Sequence, residues 1–204
     1  VREDSSKSIS IARTVWIKGF AKVTCLKSFI MKKLTVFFLF VLLFKTFSFA
    51  QKIDYDKKLK ELGIELMVPS KPIANYVKAV RVGNLLYLSG HGPSRADGTT
   101  IAGKVGVDMT VEQGYEAAKQ TGVSILSTLK AELGDLNKVK RIIKVLGMVN
   151  CAPTFGDQPK VINGFSDLMV AVFGEKGKHA RSAVGMNALP GNMAVEIEII
   201  VEVE

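Results

Sequence analysis

The chain has 204 residues, with 28 Lys and Arg against 19 Asp and Glu, two His and two Cys, for a net charge of +9. Nine of the basic residues but only two of the acidic ones fall in the first 50 positions, so residues 51–204 carry 19 against 17, a net of +2. The basic balance is thus a property of the leader, and the remainder has no electrostatic footprint for nucleic acid.

Residues 1–30 have scattered basic side chains and no sustained period. They read as an upstream extension, either mistranslated from a start codon placed too early or disordered. A transit peptide is a third reading, since the segment is rich in Ser, Lys and Arg. Residues 31–50 open with Met31-Lys32-Lys33, continue through an apolar run from Leu34 to Phe44, and end in small residues at Ser48 and Ala50. That is the layout of a secretory signal peptide. The run is shorter than the roughly 20 residues a spanning helix needs, and Lys45 interrupts it, so no stable membrane anchor is expected. The expectation is a periplasmic or secreted single domain over 51–204, with a cytoplasmic protein as the alternative. Cys151 is the lone cysteine of that domain, so cohesion must come from core burial and association rather than an internal disulfide. His91, His179 and Cys151 lie too far apart in sequence to read as a zinc motif.

Tyr55–Leu62 is short and charged, with Leu59 and Leu62 on one side, and predicts a peripheral helix closed by Gly63. Two extended runs, Tyr76–Val82 and Leu85–Ser89, flank Gly83-Asn84 and predict a β-hairpin. The stretch from Gly90 to Asp108 is a long loop of the kind that is functional or mobile. Thr110 and Gln113 have capping-box spacing ahead of a helical stripe of Ala118, Ile125, Leu129 and Leu133, which ends at Gly134. Val139–Val149 is rich in Ile and Val without clean alternation, which predicts a strand buried on both faces. A second helix is expected from about Asp157 and Pro159 to Gly174, with Val161, Phe165, Leu168 and Val172 on one face. The chain closes on a strand in which Val195, Ile197, Ile199, Val201 and Val203 alternate with mostly acidic residues. The order β-β-α-β-α-β-β gives an α+β domain, two long helices on one face of a mixed sheet. The other face is left to find a partner in a symmetric oligomer.

Arg181 lies in Ala180–Met186, one expected hairpin away from Glu196. A guanidinium can grip a carboxylate through a bidentate fork, and a nearby carboxylate can orient or deprotonate water. On residue type alone, an Arg and a Glu on neighbouring strands more often form an ordinary cross-strand ion pair. Cys151 reads as a small packing residue, with lining a site as the alternative, His179 as a surface residue, and His91 as a candidate for a pocket mouth. Tyr76 reads as a half-buried strand aromatic.

The segments ARSAVGMNALP and VEIEIIVEV, with IANYVKAVRVGNLLYLSG and KVINGFSDL, resemble the RidA/YjgF family of imine and enamine deaminases over roughly Ile73 to Val203. The resemblance implies a chorismate mutase-like fold, a homotrimer, and a small 2-imino or 2-oxo acid as substrate, with no cofactor and no metal. It further implies that Arg181 binds the substrate carboxylate and Glu196 acts on the catalytic water. Tyr76, Ser89, Gly90, Cys151 and Asn163 would line the pocket. Three departures mark a divergent subgroup: the loop from His91 to Asp108, the longer NCAPTFGDQP stretch, and Ala183 where the best-studied branch often has Cys. A non-catalytic, carboxylate-binding or chaperone-like trimer is the alternative.

Overall fold

Thr110 accepts a hydrogen bond from the Gln113 backbone while the Gln113 side chain accepts one from the Thr110 backbone, so the expected capping box starts helix α2, Val111–Leu133. Gly134, at φ 73°, ends it in the left-handed region that glycine adopts at least cost. Removing the cap with Thr110→Ala is expected to cost about 1 kcal/mol. The loss would appear as a lower urea midpoint with an unchanged slope.

The computed structural model describes residues 52–72 and 74–204. The expected extension and signal peptide, residues 1–30 and 31–50, lie outside the described residues. Helix α1, Tyr55–Glu61, is capped by Asp54 and buries Tyr55 and Leu59, an i, i+4 pair. Leu62, expected on that face, is instead the exposed C-cap. Strands β1 (Ala79–Val82) and β2 (Leu85–His91) form the hairpin, which begins three residues later than the sequence suggests because Tyr76 turns back onto the Ala74 carbonyl. Strand β3 is Val139–Asn150, helix α3 Gln158–Phe173, strand β4 Ala180–Met186 and strand β5 Val195–Val203.

The sheet order is β1-β2-β5-β3-β4, with β3 and β4 parallel and the other neighbours antiparallel. Alternation along β5 sends Val195, Ile197, Ile199, Val201 and Val203 into the core with Ile125, Leu126, Leu129, Phe165 and Met169 of the two long helices. Glu196, Glu198, Ile200 and Glu202 face the other way. This is the mixed sheet with helices on one face that the sequence predicts.

Strand β3 corrects one expectation. It is not buried on both faces: Val139, Ile142, Val145, Gly147 and Val149 point into the core, while Lys140 and Arg141 are exposed. The pairing with β5 slips between Val139 and Arg141 and again between Ile142 and Lys144. Each slip adds a residue, so inward positions fall three apart before settling to two. Two bulges had hidden a one-sided strand.

The loop after β2 is tied down by isolated bridges, Ser94 to Thr100, Ala102 to Met193, and Val105 to both Met109 and Cys151. Val105 is fully buried. The helices approach closely at Gly164, where an added Cβ would lie 2.0 Å from the Tyr115 carbonyl oxygen. Similarly, Gly147 leaves the space on β3 that Ile162 fills. These contacts fix α3 over β3 and beside β4.

Candidate functional site

Parallel pairing of Val145 with Arg181 and of Gly147 with Ala183 places these β4 side chains on the helix face. Ser182 lies on the opposite face, where Lys144 Nζ donates to its hydroxyl at 2.9 Å. Arg181 therefore reaches toward α3. Its Nη1 donates to Asn163 Oδ1 at 2.9 Å and Ser166 Oγ at 3.0 Å, and Nη2 donates to the Pro159 carbonyl at 3.4 Å. Among the described residues every ion pair uses a lysine, so this half-buried guanidinium faces neutral acceptors only. A guanidinium has five N–H donors, and the three contacts above leave two for an incoming anion.

His179, expected at the surface, is part of the same cluster. Its Nδ1 lies 2.7 Å from the Gly177 carbonyl and its Nε2 lies 3.1 Å from Ser166 Oγ. Burial, aided by the Arg181 charge, lowers its pKa. Ser166 was not singled out in the sequence, although it stands one helical turn after Asn163, which is the spacing that puts two side chains on one face.

Glu196 belongs to a second cluster. It lies between the core residues Val195 and Ile197 on β5 and so projects from the open face. Pairing of β2 with β5 is irregular between Leu88 and His91, and Gly90 falls in that irregularity. A Cβ on Gly90 would stand 2.0 Å from Glu196 Oε1, so the missing side chain is what seats the carboxylate. Burial, and secondarily the charge of Glu198, raises the Glu196 pKa. Ser89, next to Gly90, bonds to the Lys78 carbonyl through both its backbone N–H, at 3.0 Å, and its hydroxyl, at 3.3 Å.

Arg181 and Glu196 are not on neighbouring strands. Strand β3 runs between β4 and β5, and the two side chains leave opposite faces of the sheet. The sequence had placed them one hairpin apart; the chain instead crosses over β3 through the short turn Pro190–Asn192. Asn163 does join Arg181, and Gly90 joins Glu196. Tyr76 is 46% exposed and precedes β1, outside both clusters as they stand in one chain.

Cys151 is buried beyond the end of β3, with Gln158 Nε2 3.7 Å from its sulfur. It borders a cleft of about 290 Å³ shared with Gln158, Gly185 and Asn187. His91 borders a small cleft of about 40 Å³ shared with Lys78, Ser94 and Thr128. It is buried, with Nδ1 2.6 Å from the Ser89 carbonyl and Nε2 2.9 Å from Thr128 Oγ1. Burial pushes its pKa down to about 4, which makes it a neutral core residue linking β2 to α2.

Residues 56–203 match the family model described as "YjgF/chorismate_mutase-like, putative endoribonuclease". The chain belongs to the YjgF family. It is 43% identical over 145 residues to Protein TCP17 of Trypanosoma cruzi, covering 71% of this chain and 91% of that protein. It is 31% identical over 135 residues to a 2-iminobutanoate/2-iminopropanoate deaminase of Dermatophagoides farinae, covering 66% of this chain and 90% of that one. Among solved structures, the protein Atu1372 with unknown function from Agrobacterium tumefaciens aligns with a TM-score of 0.68 and 47% identity over 74% of this chain and 94% of that one. The RidA/YjgF membership and the chorismate mutase-like fold expected from the sequence are therefore established for this chain.

Proposed function

We propose that this YjgF-family chain hydrolyses 2-imino acids, and their enamine tautomers, to 2-oxo acids and ammonia. The observation that carries the reading is Arg181, a half-buried guanidinium with neutral partners and two spare donors, suited to a small carboxylate. An imine carbon next to a carboxylate is already electrophilic, so the protein needs only to hold the substrate and supply water. In this reading Glu196 takes a proton from water as its oxygen adds to C2. The proton passes on to the imine nitrogen to give a carbinolamine, whose hydroxyl proton then moves to the amino group as the C–N bond breaks, the C=O bond forms and ammonia leaves. Sidedness of the sheet supports a homotrimer that brings the Arg181 cluster of one copy to the Glu196 cluster of another. Val80, Val82, Tyr87, Val184 and Met186 are all exposed, and apolar surface of this extent favours association.

Separation of the two clusters in one chain also favours a second reading, a trimer that binds small carboxylates without turning them over. RNA cleavage is poorly supported, since both histidines of the sequence have each ring nitrogen engaged within the chain. The deciding experiment is ammonia release from freshly generated 2-iminopropanoate and 2-iminobutanoate. A rate above spontaneous hydrolysis that depends on Arg181 supports the deaminase. No excess rate, with retained 2-oxobutanoate binding, selects the second reading.

Glu196 must be ionised to accept a proton, so activity should fall as pH drops through its raised pKa. The acid limb is expected above the ordinary glutamate range. Glu198→Gln removes a charge that raises the Glu196 pKa and should move that limb to lower pH. A pH–rate profile that does not shift would argue against Glu196 as the base.

A further inference from the structure

We infer that Ser166 and His179 form a positioning relay that fixes the Arg181 guanidinium for its carboxylate ligand, an inference that rests on the carboxylate-binding part of the reading above. Direction follows from donors and acceptors alone. The Gly177 carbonyl can only accept, so His179 Nδ1 carries the proton in its 2.7 Å contact. Nε2 of the neutral ring is then an acceptor, and the Ser166 hydroxyl proton points to it across 3.1 Å. With its proton committed, Ser166 Oγ presents lone pairs to Arg181 Nη1 at 3.0 Å. The chain thus runs from Arg181 through Ser166 and His179 to the Gly177 carbonyl, with every proton assigned.

A helical serine has a local alternative, which is to donate to the carbonyl four residues back. The hydroxyls of Thr121, Ser124 and Ser127 on α2 do this. Ser166 instead turns off its helix to His179, whose ring is also held edge-on against Phe165, with centroids 5.8 Å apart. The two residues flanking Arg181 in the fold thereby set one of the three acceptors that orient it. The lowered pKa of His179 keeps the ring neutral, as the relay requires.

The test combines spectroscopy with kinetics. Only two histidines occur in the sequence, so ¹⁵N-correlated NMR of the side chains, assigned with His179→Phe, reads the tautomer of each directly. At neutral pH, His179 should be protonated on Nδ1 and bare on Nε2; an Nε2-protonated ring overturns the relay. Ser166→Ala and His179→Phe should each weaken 2-oxobutanoate binding and raise KM about tenfold with kcat nearly unchanged, since a carboxylate grip serves ground and transition states alike. The double variant should be no worse than Ser166→Ala alone, because both changes break one chain. Unchanged affinity in Ser166→Ala, or additive losses in the double variant, overturns the proposal. Should the wild type show no turnover, the deaminase reading falls while the tautomer and the binding series still decide the relay.

Discussion

Arg181→Ala should abolish detectable imine hydrolysis while leaving the fold intact. The substitution removes the half-buried cation that faces only neutral acceptors between α3 and β4, and with it two N–H donors available to a carboxylate. A hydrogen bond to a charged group is worth about 1.5–3 kcal/mol, so losing a bidentate grip amounts to roughly 3–6 kcal/mol, or about 100-fold to 20,000-fold in kcat/KM. Stability should change far less, because Asn163 is exposed and Ser166 partly so, and water can reach the acceptors that Arg181 leaves. Arg181→Lys is expected to fall in between, since an ammonium keeps the charge but cannot satisfy in-plane acceptors and a bidentate ligand together. The measurements are ammonia release and circular dichroism on the same preparations. Turnover within twofold of wild type in Arg181→Ala would remove Arg181 from the mechanism.

The largest loss of stability is expected at Gly164. Helix propensity alone favours Ala over Gly by about 1 kcal/mol, so a helix considered in isolation predicts that Gly164→Ala stabilises. The fold predicts the opposite. The added Cβ would sit 2.0 Å from the Tyr115 carbonyl oxygen and 3.2 Å from the Lys119 backbone nitrogen, and backbone cannot move aside like a side chain tip. Helices α2 and α3 would have to separate over a shared core that includes Ile125, Phe165 and Met169. Overpacking typically costs about 1–3 kcal/mol, and more where nothing yields. A loss of about 3 kcal/mol is therefore expected for Ala, and failure to reach the native state for Val. Gly156→Ala is the control: its Cβ would meet nothing within 4 Å, and its backbone is outside the left-handed region. Urea denaturation should show that variant unchanged or slightly stabilised. Equal stability of Gly164→Ala and wild type would mean the helices can separate at little cost.

Much of the fold was legible because local rules and packing agree. Thr110 and Gln113 spell out a helix start, Gly134 and Gly174 mark stops, and β5 alternates without interruption because no bulge disturbs it. Strand β3 was misread because bulges are set by pairing with β5, which a residue-by-residue period does not contain. The same reason explains the misplaced Arg181–Glu196 pair. Adjacency in sequence suggested a hairpin, whereas the crossover through α3 already places β4 parallel beside β3. Asn163 with Arg181, and Gly90 with Glu196, were named through the family resemblance, and each pair is in contact in the fold. Ser166 and the role of His179 were not, since a polar residue on a helix and a histidine beside an arginine both read as solvated surface until α3 is laid along β4.

The two bulges of β3 carry a consequence for how this chain tolerates length changes. Between Val139 and Lys144 the pairing with β5 already accommodates surplus residues, so a single insertion or deletion there can be taken up by enlarging or erasing a bulge. From Val145 to Val149 the strand is locked in strict register on both sides, to β4 and to β5. One residue gained or lost in that half would turn Val145, Gly147 and Val149 outward and carry the strand paired with Arg181 out of step. Length variation among functional homologues should accordingly concentrate before position 145 and stop there.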